Sequence, residues 1–384
     1  MGSARRRITI GAVATAALAG IAIAATGALS GSVASASGSV FTATLFANAA
    51  KIEHAAPKGR EAISQPDDIT SLDGHIFVGF QNGVGPQGQA SPTGNTDSTV
   101  VEFDLSGHAV AQWDITGKCD GLTADPQLGR VIATVDEDAN SSLYLIDPAG
   151  STPVHYRYSE QPLPSNGGTD AISVYRGMIL ISASAPGTKG AAAPQASYPA
   201  VYRTTLDART DVATISPLFS DEAKAEVANA GADAGRTVSL ALTDPDSNEV
   251  VPSGAPRFAG QFMLTSQGDK EQIFVADAGG AGQSLSVLRL SDSVDDTAWP
   301  TSSSGTIYTT DNDNDNVYRI SGPFVSGSVF VAVTPCDANG APSRCPGPGY
   351  PANYLGELDA STGTIARVDL RGPAVAAQGM LFLP

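Results

Sequence analysis

Aspartate recurs at one kind of position in this chain, just before a short apolar run. It does so in P-D-D-I-T-S (Asp67, Asp68), C-D-G-L-T-A (Asp120), G-T-D-A-I-S (Asp170) and V-D-D-T-A-W (Asp295, Asp296). More oxygen donors come after other apolar runs: Gln81 and Asn82, then Asp136, Glu137 and Asp138, then the stretch Asp311 to Asp315. Few cations stand nearby in sequence. Carboxylates held close together raise one another's pKa and repel unless a cation, hydrogen bonds or water compensates them. Calcium is the natural counter-ion, since it takes about six to eight oxygen ligands. Asp68, Asp120, Asp136, Asp170, Asp296, Asp311 and Asp313 are therefore candidate metal ligands, and calcium is the one candidate cofactor. The competing expectation is that each Asp caps its turn through nearby backbone amides. Both stay open here.

Other chemistry is thinner. The run D-N-D-N-D-N from Asp311 has the alternate acidic spacing of a calcium loop. However, Asn316 replaces the required glycine and Gly322 the closing glutamate, which excludes an EF-hand. A hairpin turn is expected there, with its alternate carboxylates on one side. Gly83 to Gly88 matches G-x-G-x-x-G, but the residues after Gly88 read as loop rather than helix, so the match is accidental. No G-x-S-x-G elbow occurs. His54, His75, His108 and His155 all fall away from the acid-rich positions, which argues against a histidine general base there. Trp113 and Trp299 read as packing residues.

The elements that must position these acids are strands. Nearly every apolar run is short, rich in β-branched residues and bounded by turn residues. Four runs recur in order, for example P-D-D-I-T-S, H-I-F-V-G-F, T-V-V-E-F-D-L and A-V-A-Q-W-D-I. Asp68 to Asp120 is 52 residues and Asp120 to Asp170 is 50, while the 126 to Asp296 divides into two units of about 63. Such spacing predicts an all-β fold, a β-propeller of six four-stranded blades, alternatively seven. In that reading T-I-Y-T-T and N-V-Y-R-I-S continue the unit opened by V-D-D-T-A-W. The segments G-S-V-F-V-A-V, N-Y-L-G-E-L-D and T-I-A-R-V-D-L supply the alternative seventh blade. Pairing of the N- and C-terminal strands in one blade would close the ring and hide its edges. Asp221 to Ala234 has helical composition and is expected as a surface insertion. Loops Gly83–Ser98 and Ala185–Pro199 interrupt two units and could cover the acidic rim.

The D-x-I and D-G-L strand entries, the L-Y-L-I-D-P strands and the Q-G-M-L-F-L-P terminus resemble the exported actinobacterial propellers of the NHL/YVTN kind. The resemblance spans residues 37–384 and implies fold far more than activity. Propellers of this general shape include gluconolactonase-like hydrolases, streptogramin-type lyases and plain binding modules. The histidine placement disfavours the lyase, and no contiguous hydrolase motif allows a catalytic residue to be carried over.

Residues 1–36 read as a signal peptide: Arg5, Arg6 and Arg7, an uncharged stretch from Ile8 to Leu29, and Ala34-Ser35-Ala36 as the cleavage signature. Sec and twin-arginine export both stay open. The chain is thus expected outside the cell or at its envelope, with residues 37–384 as one propeller domain and no stable membrane insertion after cleavage. In that oxidising setting Cys336 and Cys345, flanking a Pro/Gly-rich loop, are expected to form a disulfide, while Cys119 remains a buried thiol. The 384-residue chain carries a net charge of −17 and lacks a basic patch, which excludes nucleic acid as a partner. The expectation is a monomeric acidic module that binds a small molecule, glycan or protein. The alternative is a metal-dependent hydrolase of lactones or small esters.

Overall fold

A computed structural model describes residues 40–164, 167–184, 197–350 and 352–384. The signal-peptide segment and most of the loop Ala185–Pro199 lie outside the described residues. The described chain is all-β, with only short 3-10 turns besides strands and loops.

Its strands form antiparallel meanders arranged as a propeller. The first sheet runs Pro66–Leu72, His75–Phe80, Asp97–Phe103, Ala109–Thr116. Next comes an eight-stranded sheet of two meanders, Cys119–Asp125 to Val154–Tyr158 and Gly168–Tyr175 to Val212–Ser220, joined where their last strands pair in parallel. The meander Pro245–Val250 to Ser284–Arg289 is widened to six strands by Lys224–Val227 and Thr237–Ser239 on its outer edge. A four-stranded sheet comes after it: Val294–Ala298, Phe330–Val333, Tyr354–Asp359, Thr364–Arg367. The last sheet holds both termini, in the order Leu370–Arg371, Phe41–Asn48, Asn316–Ser321, Thr306–Asp311, Met380–Leu383.

Alternation of apolar and polar residues is weak in the middle strands, because both their faces are covered. Each neighbouring pair of meanders encloses its own apolar layer. Ile69, Val78 and Val101 meet Phe46, Tyr308 and Val317 on one side of the first sheet. Phe77, Val100 and Trp113 meet Leu122, Val131 and Tyr144 on the other. The opening strand of each meander, together with Met380–Leu383, packs beside the next around a central channel.

Several expectations are corrected. The sheets are not six, or seven, separate four-stranded blades: among the described residues only two have four strands, and the others have eight, six, five and two. Edge-to-edge pairing of outer strands fuses or widens units that sequence spacing counts as separate. Thr306–Asp311 does not continue the unit of Val294–Ala298, whose partner is Phe330–Val333. Instead the hairpin of Thr306–Asp311 and Asn316–Ser321 crosses into the terminal sheet, where Phe41–Asn48 and Met380–Leu383 need partners for their backbone groups. The termini therefore share a sheet without pairing directly, since that hairpin lies between them. Asp221 to Ala234 holds no helix. Ala225 and Val227 bury one side of a strand, paired on both edges, against Phe219, Leu240 and Val287, so packing overrides propensity.

Candidate binding site at the channel mouth

The acids are positioned by one backbone device used five times. In each of five opening strands the pairing register slips, so that two residues face one on the neighbouring strand. The bulged pairs are Asp67-Asp68, Asp120-Gly121, Asp170-Ala171, Asp246-Ser247 and Asp295-Asp296. The facing residues are all small: Gly79, Thr134, Ser182, Thr265 and Ala332. Bulges re-aim side chains at the rims of closed sheets, and here every one carries an aspartate at its first position. Gln378-Gly379, ahead of Met380–Leu383, takes the corresponding place in the terminal sheet, where Gln378 and Gly379 exchange backbone bonds with Thr310.

Bonds between neighbouring meanders lock these bulges together. Thr310 Oγ1 donates to the Asp67 carbonyl (2.6 Å), Thr134 Oγ1 to that of Asp170 (2.5 Å), and Ser182 Oγ to that of Asp246 (2.7 Å). Ser247 Oγ does the same for Asp295. The close approach requires glycine at two second positions. A Cβ on Gly121 would lie 2.7 Å from the Asp170 carbonyl oxygen, and one on Gly379 would lie 2.2 Å from that of Asp67.

The bulges surround a cavity of about 210 Å³. The two positions of each bulge do different work. Asp68 and Asp296 stand second, and their oxygens are taken by backbone amides. Asp68 accepts from Ile69 N (2.7 Å) and Leu122 N (2.6 Å), and Asp296 from Thr297 N (2.7 Å) and Met380 N (2.6 Å). They stitch sheet to sheet. The first-position carboxyls face fewer donors. Asp67 accepts from Gln378 Nε2 at 2.6 Å. Asp120 Oδ1 meets Lys118 Nζ at 2.7 Å and Gln81 Nε2 at 3.1 Å, while its Oδ2 is buried without a partner. No hydrogen bond to the carboxyls of Asp170, Asp246 or Asp295 occurs among the described residues, and Asp170 is only 9% exposed.

Lys118, which nothing in the sequence marks out, is the one basic side chain lining the cavity among the described residues. Its ammonium lies 2.6 Å from Glu137 Oε1 as well as against Asp120. Burial opposes that charge, but Asp120 and Glu137 outweigh it and hold the lysine pKa well above its usual value. Burial pushes the carboxyls of Asp67, Asp170, Asp246 and Asp295 well above theirs, and neighbouring carboxylates add to the shift. Asp120 is pushed up to about 7 by burial, against the pull of Lys118. Burial likewise takes Asp296 to about 7.

The seven candidate ligands are thus not one site. Asp68, Asp120, Asp170 and Asp296 line the cavity. Asp136 does not; it accepts from Lys118 N at 2.8 Å, with a pKa raised by burial to about 6. Asp311 and Asp313 belong to the turn Asn312–Asn314 and its flank, and the expected one-sided array is absent. Asp311 is buried and bonded, while Asp313 is exposed. No three His, Cys, Asp or Glu side chains are gathered closely enough to hold a metal ion among the described residues. Asp246 was missed because P-D-S-N-E-V lacks the apolar residues that mark the other entries; its register against the other four was the available signal. Asp337 was missed too. It lines the cavity from beside Cys336, whose disulfide to Cys345 is formed. Cys119 is a buried free thiol, and Trp113 and Trp299 are packed in apolar layers. Loop 83–96 packs on the Asp136 turn through Asp138 N and Pro86 O (2.9 Å), and none of its residues lines the cavity.

No family model and no curated protein matches the sequence. Among solved structures, the periplasmic gluconolactonase of Pseudomonas aeruginosa is similar at 11% identity and a TM-score of 0.46, covering 86% of this chain and 91% of that one. The Swd1 β-propeller domain of Myceliophteria thermophila is similar at 12% identity and a TM-score of 0.43, covering 89% and 92%. The WD40 domain of Toxoplasma gondii coronin is similar at 11% identity and a TM-score of 0.35, covering 73% and 64%.

Proposed function

We propose that this protein is an exported, monomeric binding module that takes a positively charged group of a small ligand into the mouth of its channel. The observation that carries the reading is the imbalance at the bulges. Asp67, Asp120, Asp170, Asp246, Asp295 and Glu137 surround a single Lys118, and the buried Asp170 carboxyl has no donor among the described residues. A cation placed against Asp170, Asp246 and Asp295 would relieve their mutual repulsion. Calcium prefers oxygen ligands and is the metal to try; because no three carboxyls converge on one point among the described residues, carbonyls and water would have to complete its shell.

A metal-dependent hydrolase of lactones or small esters at the same mouth is the second reading. Asp120 favours it, since a carboxyl with a pKa of about 7 beside an ammonium is poised for proton transfer. Titration calorimetry with calcium, magnesium and simple alkylammonium ions, run beside lactone and ester turnover, separates the two. Binding without turnover, weakened in Asp170→Asn/Asp246→Asn, supports the binding module. Turnover that disappears with Asp120→Asn selects the hydrolase. Absence of both removes the mouth from consideration, leaving protein or glycan partners on the outer surface.

A further inference from the structure

Below the bulges the channel continues into a second cavity of about 260 Å³. The two cavities adjoin, sharing Asp68, Ala171, Ser247 and Asp296 in their walls. Residues of the opening strands, among them Ile69, Leu122, Ile172 and Val250, form its wall together with polar ones, and no Lys, Arg or His lines it among the described residues. Its distinctive group is Glu249. Oε1 of Glu249 accepts from Trp299 Nε1 at 2.8 Å, and no other donor among the described residues reaches this carboxyl. Burial first, then the nearby Asp296 and Asp68, hold its pKa well above the usual range.

Two further polar atoms of this wall lack partners among the described residues: Ser173 Oγ and Asn248 Oδ1, in residues 5% and 8% exposed. Buried polar atoms left without partners are costly, so each calls for an explanation. These two, Asp120 Oδ2 and the Asp170 carboxyl above can all accept a hydrogen bond. A ligand that meets them must be rich in donors and positively charged at more than one point. Asp246 and Glu249 lie on one strand three residues apart, so their levels differ by roughly 10 Å at most.

We propose that the channel binds a linear aliphatic polyamine, with one ammonium group among Asp170, Asp246 and Asp295 and another beside Glu249. The methylene segments then span the channel between the two carboxyl levels, and amine N–H groups donate to Asn248 Oδ1 and Ser173 Oγ. This inference rests on the cation-binding reading of the mouth and adds the class of ligand to it.

Titration calorimetry of the full chain with spermidine, 1,4-diaminobutane, butylamine and calcium chloride tests it. Spermidine and diaminobutane are expected to bind at least about tenfold more tightly than butylamine, which reaches only the mouth. Glu249→Gln, which keeps an acceptor for Trp299, should erase most of that advantage and leave butylamine and calcium unchanged. Thr123→Phe, which narrows the lower cavity from a half-buried position, should do the same and serves if Glu249→Gln fails to fold. Equal affinity for butylamine and diaminobutane, or polyamine affinity untouched by both substitutions, overturns the polyamine inference while leaving the mouth's cation binding intact. If none of these cations binds, the reading of the mouth falls, and this inference with it.

Discussion

From Asp311 to Asp315, where the chain turns from Thr306–Asp311 into Asn316–Ser321, five residues carry three carboxylates. Asp311 accepts from Asn314 N (3.1 Å), Asn314 Nδ2 (2.9 Å) and Ala376 N (3.1 Å), Asp315 accepts from Gln65 N (2.7 Å), and Asp313 is exposed to solvent. At the channel mouth, aspartates at matching bulges meet a single ammonium, and three of their carboxyls meet no donor among the described residues. The two regions look alike in composition. An acidic cluster is therefore read from its donors: where backbone amides satisfy the oxygens, the acid holds the fold, and where they do not, the site is left to a ligand. The same division separates the second bulge position, Asp68 and Asp296, from the first.

Substitutions should make the contrast plain. The largest effect belongs to Asp170→Asn/Asp246→Asn, which should weaken cation binding by about 100-fold or more, because each removes a buried charge partner of the ligand. The same change should leave stability unaltered or raise it by about 1 kcal/mol, since uncompensated buried carboxyls oppose folding. Calorimetry and urea unfolding of one preparation check both statements. Asp311→Ala should do the reverse, lowering stability by about 2–3 kcal/mol through unpaired amides while leaving cation affinity unchanged. Asp68→Ala and Asp296→Ala should each lower stability by about 1–3 kcal/mol, as two backbone amides lose their acceptor.

Titration should divide the two regions as well. Asp120 and Asp296 have folded pKa values near 7, above the ordinary value of 3.8, so the folded chain binds more protons than the unfolded chain between these limits. These groups therefore cost stability increasingly as pH rises from about 4 through about 7, and the cost is fully present above that. Without added cation, the melting temperature should fall across this window, and Asp120→Asn should flatten the fall. The smallest effect belongs to Asp313→Asn, which should change neither melting temperature nor binding measurably.

The acid ring was legible where an aspartate precedes an apolar strand, so Asp67, Asp68, Asp120, Asp170, Asp295 and Asp296 all stood out. The stretch V-S-L-A-L-T-D-P-D-S-N-E-V-V-P reads as an opening strand, but Asp246 was hidden in it because Ser247, Asn248 and Glu249 put no apolar run directly after it; their polarity is tolerated since they line the channel. Lys118 looked like one surface lysine in a turn, and only folding sets its ammonium between Asp120 and Glu137. Which acids are satisfied was legible only in part: Asp68 and Asp296 each cap the next backbone amide, as the capping expectation held, but their second donors, Leu122 N and Met380 N, lie 54 and 84 residues away. Strand order failed for a related reason. Chain order places T-I-Y-T-T beside V-D-D-T-A-W, whereas the terminal strands claim that hairpin for their own sheet.

Whether the unsatisfied acids of the mouth await a cation is decided by the melting temperature at pH 7.5, titrated with calcium and with spermidine, for the wild type and for Asp170→Asn/Asp246→Asn. A ligand that binds only the folded chain raises its melting temperature in proportion to the logarithm of concentration once saturation is passed. Such a rise is expected in the wild type with at least one of the two cations, and a flat response in the double variant. A wild type that ignores both, or a variant that responds as the wild type does, would contradict cation binding at these bulges.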